Sequence, residues 1–197
     1  KIMYYPIKPR GNRKIINSYI HHPSFRDGDI DNIITMLDEK KWTDAGVVTG
    51  ESGPYKSDIR TNSEQVIPPD KTGFPYTQLA NIIAELNRDW WNFDVTGFNF
   101  TTDHPAIFQY KKKQKFDWHF DVTNIEPTRK LGFSLQLSDS NDYEGGQLEF
   151  FGYDNDEGTR KRGTLILFPS YTWHRVTPVT KGRRLAMVGW VHGPSFQ

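Results

Sequence analysis

The sequence contains no cysteine and no long uninterrupted run of apolar residues. The lack of cysteine excludes disulfides and thiolate metal sites, and it fits a reducing compartment. Without an apolar run there is no candidate membrane span, and residues 1–10, which contain two prolines, have no apolar signal core. We therefore expect a soluble, cytoplasmic protein that has no membrane partner.

The chain also has little excess charge of either sign. Lysine and arginine number 25 and aspartate and glutamate 24, so the formal net charge is +1. No overall field draws such a chain to nucleic acid, and we do not expect a nucleic-acid partner. The length of 197 residues suits a single domain, 1–197, and the aromatic fraction of 14% favours a β-rich core.

The apolar periodicity changes near residue 92. Before it, helical spacing predicts helices over 27–42 and 75–91, separated by a Gly- and Pro-rich loop, 50–73, with one short strand at 57–60. After it, we predict the short strands 94–100, 105–110, 115–121, 130–138, 146–152, 164–168, 173–177 and 184–192. This spacing favours a sandwich or jelly roll, so we expect a helical flank, 1–91, and an antiparallel β core, 92–197.

The segment "KFDWHFD" (115–121) holds the first candidate for chemistry. In a strand His119 and Asp121 project from one face, while Trp118 and Phe120 project from the other, toward a core. A second imidazole would complete a 2-His-1-carboxylate triad, which suits non-haem Fe(II) because it leaves coordination positions open. His174, 55 residues further on, is the best partner. The alternative for such a common pair is a solvated strand face.

Two adjacent arginines begin the predicted last strand, in "KGRRLAMVGW" (181–190). The strand's inward positions point into the predicted barrel, where a buried arginine needs an anion. The planar guanidinium fits a carboxylate.

Several ordered segments together carry a resemblance to a known family. "FDWHFD", "YEGGQLEFF" (143–151) and "GTLILFPSYTWHRVTPVTKGRR" (163–184), followed by Trp190, resemble the iron(II)/2-oxoglutarate-dependent dioxygenase superfamily. Within it the chain is most similar to the prolyl 4-hydroxylase-like branch, which includes bacterial PKHD-type hydroxylases. The similarity spans about residues 90–192. It implies a mainly β fold, a double-stranded β-helix (jelly roll) with N-terminal helices packed on the sheet.

The resemblance also implies roles for residues that match the family's positions. The catalytic iron ligands are His119, Asp121 and His174. The residues implied for 2-oxoglutarate are Arg184, Tyr110 and Thr177, and those implied for substrate are Arg60 and Trp190. Arg183 alternates to the face opposite Arg184. The five residues 111–115, "KKKQK", replace a stretch in which relatives often carry glycine, and a solvated turn explains them better than capture of an acidic partner.

The implied activity is hydroxylation of a C–H bond, coupled to decarboxylation of 2-oxoglutarate to succinate and CO2. It requires Fe(II), 2-oxoglutarate and O2, and ascorbate is expected to support it. A proline-containing peptide or protein is the favoured substrate, with the loop 50–73 closing over it. The alternatives are hydroxylation of a free amino acid, another side chain or a nucleobase, or a non-catalytic jelly-roll binding module.

Overall fold

The computed structural model describes residues 18–48, 54–55, 58–154 and 156–196, so the N-terminal ten residues and much of the first half of the loop 50–73 lie outside it. The helices are α1 (Asp27–Thr35) and α2 (Tyr76–Trp90), and a short 3-10 helix covers Glu157–Arg160. The strands are β1 (Ile20–Pro23), β2 (Thr43–Asp44), β3 (Val47–Val48), β4 (Pro54–Tyr55), β5 (Ser63–Gln65), β6 (Ala106–Tyr110), β7 (Phe116–His119), β8 (Arg129–Gln136), β9 (Tyr143–Gly145), β10 (Leu148–Phe150), β11 (Thr164–Pro169), β12 (His174–Val176), β13 (Val179–Gly182) and β14 (Arg184–His192).

The first helix is shorter than predicted, whereas the second agrees within one residue at each end. The backbone N–H of Asp38 donates to the side-chain oxygen of Gln65 at 3.0 Å, and the amide of Gln65 donates back to the carbonyl of Asp38 at 2.7 Å. One side chain thus bonds both backbone groups of Asp38. The chain turns away there instead of continuing the helix to residue 42.

Seven strands form the main sheet, in the order β1-β11-β8-β14-β6-β5-β2. Three strands from the N-terminal part of the chain extend this sheet, β1 at one edge and β5 and β2 at the other end, and none of the three was predicted. The strand predicted at 57–60 is wrong, since β5 begins at Ser63 and Arg60 makes only an isolated bridge to Phe116.

Two further strand predictions fail at glycines. The segment 94–100 forms isolated bridges, because Gly97 has a φ of +126° and interrupts any ladder with the end of β14. The predicted strand 146–152 is displaced and split into β9 and β10, because Gly145 and Gly146 have φ values of +71° and +60°. Glycine adopts this left-handed conformation without the steric cost that other residues meet.

A smaller sheet, in the order β10-β12-β7, faces the main sheet and completes a jelly roll. Alternate side chains of β8 point to opposite sides of the main sheet. Leu131 and Leu135 pack in the cluster that includes the helices, whereas Ser134 lines the cavity between the sheets. Among the described residues, no helix is long and apolar enough to cross a membrane.

The core on the helix side of β8 sets a test of stability. Leu135 is fully buried, so Leu135→Ala should lower the free energy of unfolding by about 2–5 kcal/mol through lost contacts and a residual cavity. Urea denaturation of the metal-free protein measures this. The control is Val66→Ala, at a half-exposed site, which should change it by less than about 0.5 kcal/mol. Equal effects of the two substitutions would contradict this assignment of the core.

Candidate metal centre

His119, Asp121 and His174 come together at the open end of the jelly roll. His119 ends β7 and lies opposite His174, the first residue of β12, with ring centroids 4.2 Å apart. The carboxylate of Asp121 lies 3.6 Å from Nε2 of His119 and 3.8 Å from Nε2 of His174. One ligand atom from each of the three lies within 4.8 Å of the others. The structure therefore assembles the triad expected from the sequence.

Backbone carbonyls set the orientation of both imidazoles. Nδ1 of His119 donates to the carbonyl of Asp117 at 2.7 Å, and Nδ1 of His174 donates to the carbonyl of Thr172 at 2.8 Å. These bonds leave the lone pair of each Nε2 directed at the centre of the triad. Burial, together with the charge that His174 would carry, lowers the pKa of His119 to about 3. This imidazole is therefore neutral at neutral pH, the form that binds a metal.

Asp121 lies just beyond β7 and is held through its backbone. Its N–H donates to the carbonyl of Ser170 at 2.9 Å, and its carbonyl accepts from Nη1 of Arg129 at 3.2 Å. Nε and Nη2 of Arg129 donate to the two carboxylate oxygens of Asp103 at 2.7 and 2.6 Å. Sequence reasoning missed Arg129 and Asp103, since nothing in their local pattern marks them.

Gly132 on β8 leaves the space that the carboxylate of Asp121 occupies. A Cβ at this position would lie 2.6 Å from Oδ2 of Asp121 and 2.6 Å from the ring of Phe168. A glycine inside an apolar strand indicates a close approach of this kind. The glycine in the segment "RKLGFSLQ" is the sequence signal for this contact.

A buried guanidinium shares the cavity of the triad. The cavity is lined by the three ligands, by Tyr110, Ser134 and Arg184, and by apolar side chains. Arg184 is 2% exposed, and its Nε and Nη2 donate to the side-chain oxygen of Gln136 at 3.3 and 3.0 Å. Gln136 donates in turn to Oγ of Ser134 at 3.0 Å. Nη1 of Arg184 has no partner, so the site presents one buried charged donor that fits a carboxylate.

The predicted neighbours of Arg184 differ in their placement. Tyr110 is buried opposite Arg184 in the β6–β14 ladder, with the guanidinium 5.4 Å from its ring centroid. Burial raises the pKa of Tyr110, so its hydroxyl stays protonated and can donate. Thr177 is not among the residues that line the cavity, and its hydroxyl accepts the N–H of Gln147 at 2.9 Å. Arg183 is exposed and pairs with Glu39, as its alternation predicts.

An open space of about 350 Å³ lies above the triad, and we call it the mouth cavity. His119, Asp121, Arg60 and Trp190 line it, with Phe120 and Trp173 among the apolar residues at its edge. Trp190 also lines the inner cavity. Both residues that the resemblance implied for substrate therefore border the space in front of the metal ligands.

The prediction that Trp118 and Phe120 face a core is wrong. Phe120 is 50% exposed and packs against Trp173, with ring centroids 4.5 Å apart, and Trp118 is only partly buried. The helices cover the main sheet, whereas the described residues provide no second layer on the outer face of the small sheet. The outward side chains of β7 therefore border open space.

Comparison with known proteins agrees with this geometry. Residues 105–192 match the model of the 2OG-Fe(II) oxygenase superfamily. PKHD-type hydroxylase YbiX of Escherichia coli is 28% identical over 174 residues, which cover 83% of this chain and 72% of YbiX. PKHD-type hydroxylase IL0759 of Idiomarina loihiensis is 38% identical over 88 residues, 44% of this chain and 40% of that protein.

The solved structures that resemble the chain share its fold. A prolyl-4-hydroxylase from Pseudomonas putida has a TM-score of 0.66 at 17% identity, covering 89% of this chain and 92% of that one. A prolyl hydroxylase from Trichoplax adhaerens, in complex with a hypoxia inducible factor peptide fragment, has a TM-score of 0.69 at 18% identity, covering 90% and 84%. These structural matches show the fold that the chain shares with both proteins. Residues 105–192 match the 2OG-Fe(II) oxygenase superfamily, and the relatives that the chain resembles in sequence are PKHD-type hydroxylases.

The close approach at Gly132 generates a prediction about metal binding. In Gly132→Ala the added methyl group displaces the carboxylate of Asp121, so Fe(II) or Co(II) affinity should fall about 10- to 100-fold while the fold is retained. Calorimetric titration with Co(II) measures the affinity. The matched control is Gly28→Ala, where a Cβ meets nothing within 4 Å, and it should bind metal like the wild type. Wild-type affinity in Gly132→Ala would contradict this role of the glycine.

Proposed function

We propose that the protein is an Fe(II)- and 2-oxoglutarate-dependent hydroxylase that acts on a prolyl residue within a peptide or protein. The observation that carries this proposal is the unpaired Nη1 of Arg184 in the cavity of the triad. A metal triad alone fits many ions. A triad beside a buried guanidinium that has one unpaired N–H group is more specific. It fits an iron ligand with a second carboxylate that can pair with the guanidinium, as 2-oxoglutarate has.

Each group in the cavity has a place in this activity. Nε2 of His119, the carboxylate of Asp121 and Nε2 of His174 would hold the metal from one side and leave other coordination positions free. Arg184 and the hydroxyl of Tyr110 would hold the far carboxylate of 2-oxoglutarate. Iron, 2-oxoglutarate and O2, when bound, supply the oxidation of the substrate C–H bond and the release of succinate and CO2.

The remaining residues of the cavity position these groups and exclude water. Gln136 holds two arms of the Arg184 guanidinium and so directs Nη1 to the open space. Phe116 stacks on the ring of His119 at 3.6 Å, and Phe168 lies 4.6 Å from the ring of His174. These rings keep solvent from the imidazoles, which strengthens electrostatic interactions inside the cavity.

The mouth cavity and the named neighbours support a peptide substrate. The mouth is open and bordered by apolar side chains, and Arg60 and Trp190, which line it, would contact a bound segment. The similar structures include a viral collagen prolyl hydroxylase and the peptide complex from Trichoplax. A role of Thr177 toward 2-oxoglutarate stays a prediction, as do cytoplasmic location and a single domain over 1–197.

Succinate release tests the proposed activity. Wild type and His174→Ala are incubated in air with Fe(II), ascorbate and 2-oxoglutarate, with and without a library of proline-containing peptides. We expect succinate from the wild type only, increased by some peptides, with a mass gain of one oxygen on proline. Succinate formation that no peptide increases would instead favour a free amino acid, another side chain or a nucleobase as substrate. No succinate, with no visible absorption from Fe(II) and 2-oxoglutarate without oxygen, would favour a binding module.

Substitution of Arg184 and of its neighbour Arg183 distinguishes a specific 2-oxoglutarate site from a general effect of positive charge. Arg184→Gln removes a buried charged hydrogen-bond donor, so 2-oxoglutarate affinity should fall about 10- to 100-fold while Fe(II) affinity is kept. Arg183→Gln removes an exposed neighbour and should leave 2-oxoglutarate affinity unchanged. Anaerobic titration of the visible absorption of the Fe(II)-loaded protein measures this affinity. Equal losses in the two variants, or loss of Fe(II) in Arg184→Gln, would contradict the assignment.

A further inference from the structure

Exposed apolar side chains are concentrated around the opening of the site. Ten large apolar residues are exposed among those the structure describes. Six of the ten border the mouth cavity or the pocket beside it: Ile59, Phe120, Ile125, Phe151, Tyr153 and Trp173. Clusters of exposed apolar surface mark binding sites, because leaving them in water is unfavourable.

The pocket beside the mouth lies on the rim of the small sheet, and we call it the rim pocket. It encloses about 280 Å³ and is lined by Trp118, Glu149, Phe150, Phe151, Gly152, Tyr153 and Asp154. Trp118 lines both cavities, so the two adjoin at this residue. Phe151 is 68% exposed and meets Trp118 edge to face, with ring centroids 5.8 Å apart. Its N–H donates to the carbonyl of Trp173, the residue before the ligand His174.

Both cations that line the mouth cavity are already satisfied. Arg60 uses Nε, Nη1 and Nη2 to donate to Asn62, to the carbonyl of Gly46 and to Glu64, at 2.8–2.9 Å. Arg129 likewise uses all three nitrogens, on Asp103 and on the carbonyl of Asp121. Within the described part of the chain, the mouth therefore has no free cation to receive an anion.

The free charges around the two cavities are negative. Glu149 pairs with Arg175 at 2.7 Å, and the guanidinium of Arg175 lies 4.8 Å from the ring centroid of Trp118. The side chains of Glu126, in the mouth cavity, and Asp154, in the rim pocket, make no hydrogen bond or ion pair with another described residue. Because Trp118 already has a cation over its ring, the rim pocket offers a substrate cation the rings of Phe151 and Tyr153 beside the unpaired carboxylate of Asp154. A lysine or arginine side chain fits such a site, because its cation can contact an aromatic ring and pair with the carboxylate at the same time.

We infer that the substrate is a polypeptide segment with apolar side chains over Phe120 and Trp173 and a lysine or arginine in the rim pocket. This inference rests on the proposed function and specifies its substrate. A free amino acid, a nucleic acid or an acidic peptide would bring an anion to a surface whose free groups are apolar or negative. Because the two cavities share Trp118 in their lining, we expect the basic residue near the hydroxylated one in the same segment.

Direct binding of short labelled peptides tests this assignment. Each peptide carries one proline, apolar flanks and a single lysine placed before or after the proline, and in matched peptides the lysine is replaced by glutamine or glutamate. Fluorescence anisotropy gives Kd with the Fe(II)- and 2-oxoglutarate-loaded protein, without oxygen. We expect the best lysine peptide to bind about fivefold more tightly than its glutamine form, as a cation on aromatic rings beside a carboxylate should.

Substitutions in the rim pocket test whether its residues cause the preference for lysine. Asp154→Asn should remove the preference for lysine, Asp154→Lys should shift it toward glutamate, and Phe151→Ala should weaken binding of every peptide. The matched control is Asp142→Asn, which changes an exposed carboxylate in a different cavity and should keep the preference. These sites are exposed, so the substitutions leave the core intact.

The possible outcomes distinguish a failure of this inference from a failure of the proposed function. Equal binding of lysine and glutamine peptides, or the same effect of Asp142→Asn and Asp154→Asn, would overturn the basic-residue subsite. If peptides still increased succinate formation in that case, the proposed function would stand without it. If no peptide bound or increased turnover while the visible absorption of Fe(II) and 2-oxoglutarate formed, the peptide substrate would itself be rejected, and this inference with it.

Discussion

The antiparallel pairing of β7 with β12 determines the geometry of the whole site. Its register sets His119 opposite His174. Both rings then turn inward, because each Nδ1–H donates to the backbone carbonyl two residues earlier in the sequence. A slip of one residue would turn every side chain of a strand to the other face. The inner cavity, the mouth and the rim pocket all take their positions from this pair of strands.

The third ligand depends on a different part of the fold. Asp121 follows β7 and is positioned by the turn at Ser170, by the space above Gly132 and by Arg129. Arg129 is itself fixed by Asp103 and lies 3.6 Å above the ring of Trp190. Residues from the main sheet therefore hold a metal ligand that directly follows a strand of the small sheet. This is how two layers of a jelly roll come to share one site.

Much of the centre could be predicted from the sequence because strand alternation is a local rule. It related His119 to Asp121 and separated Arg184 from Arg183, while the strand pattern made His174 the best partner and the resemblance implied it as a ligand. The outward placement of Trp118 and Phe120 could not be predicted, since alternation says which residues share a face but not which face is covered. The roles of Arg129, Asp103 and Gln136 were not predicted either, because Arg129 pairs with Asp103 across 26 residues of sequence and Gln136 with Arg184 across 48.

The free edge of β7 is closed by the chain itself. Arg60 bridges Phe116, the N–H of Thr61 donates to Lys115, and the N–H of Asp117 donates to Ile59. A bound polypeptide therefore cannot extend the small sheet at this edge as an added strand, a mode of recognition that reads main-chain groups and tolerates many sequences. At this side of the opening, the enzyme must then discriminate between substrates through contacts with their side chains. Its selectivity therefore depends on the amino-acid sequence of the bound segment.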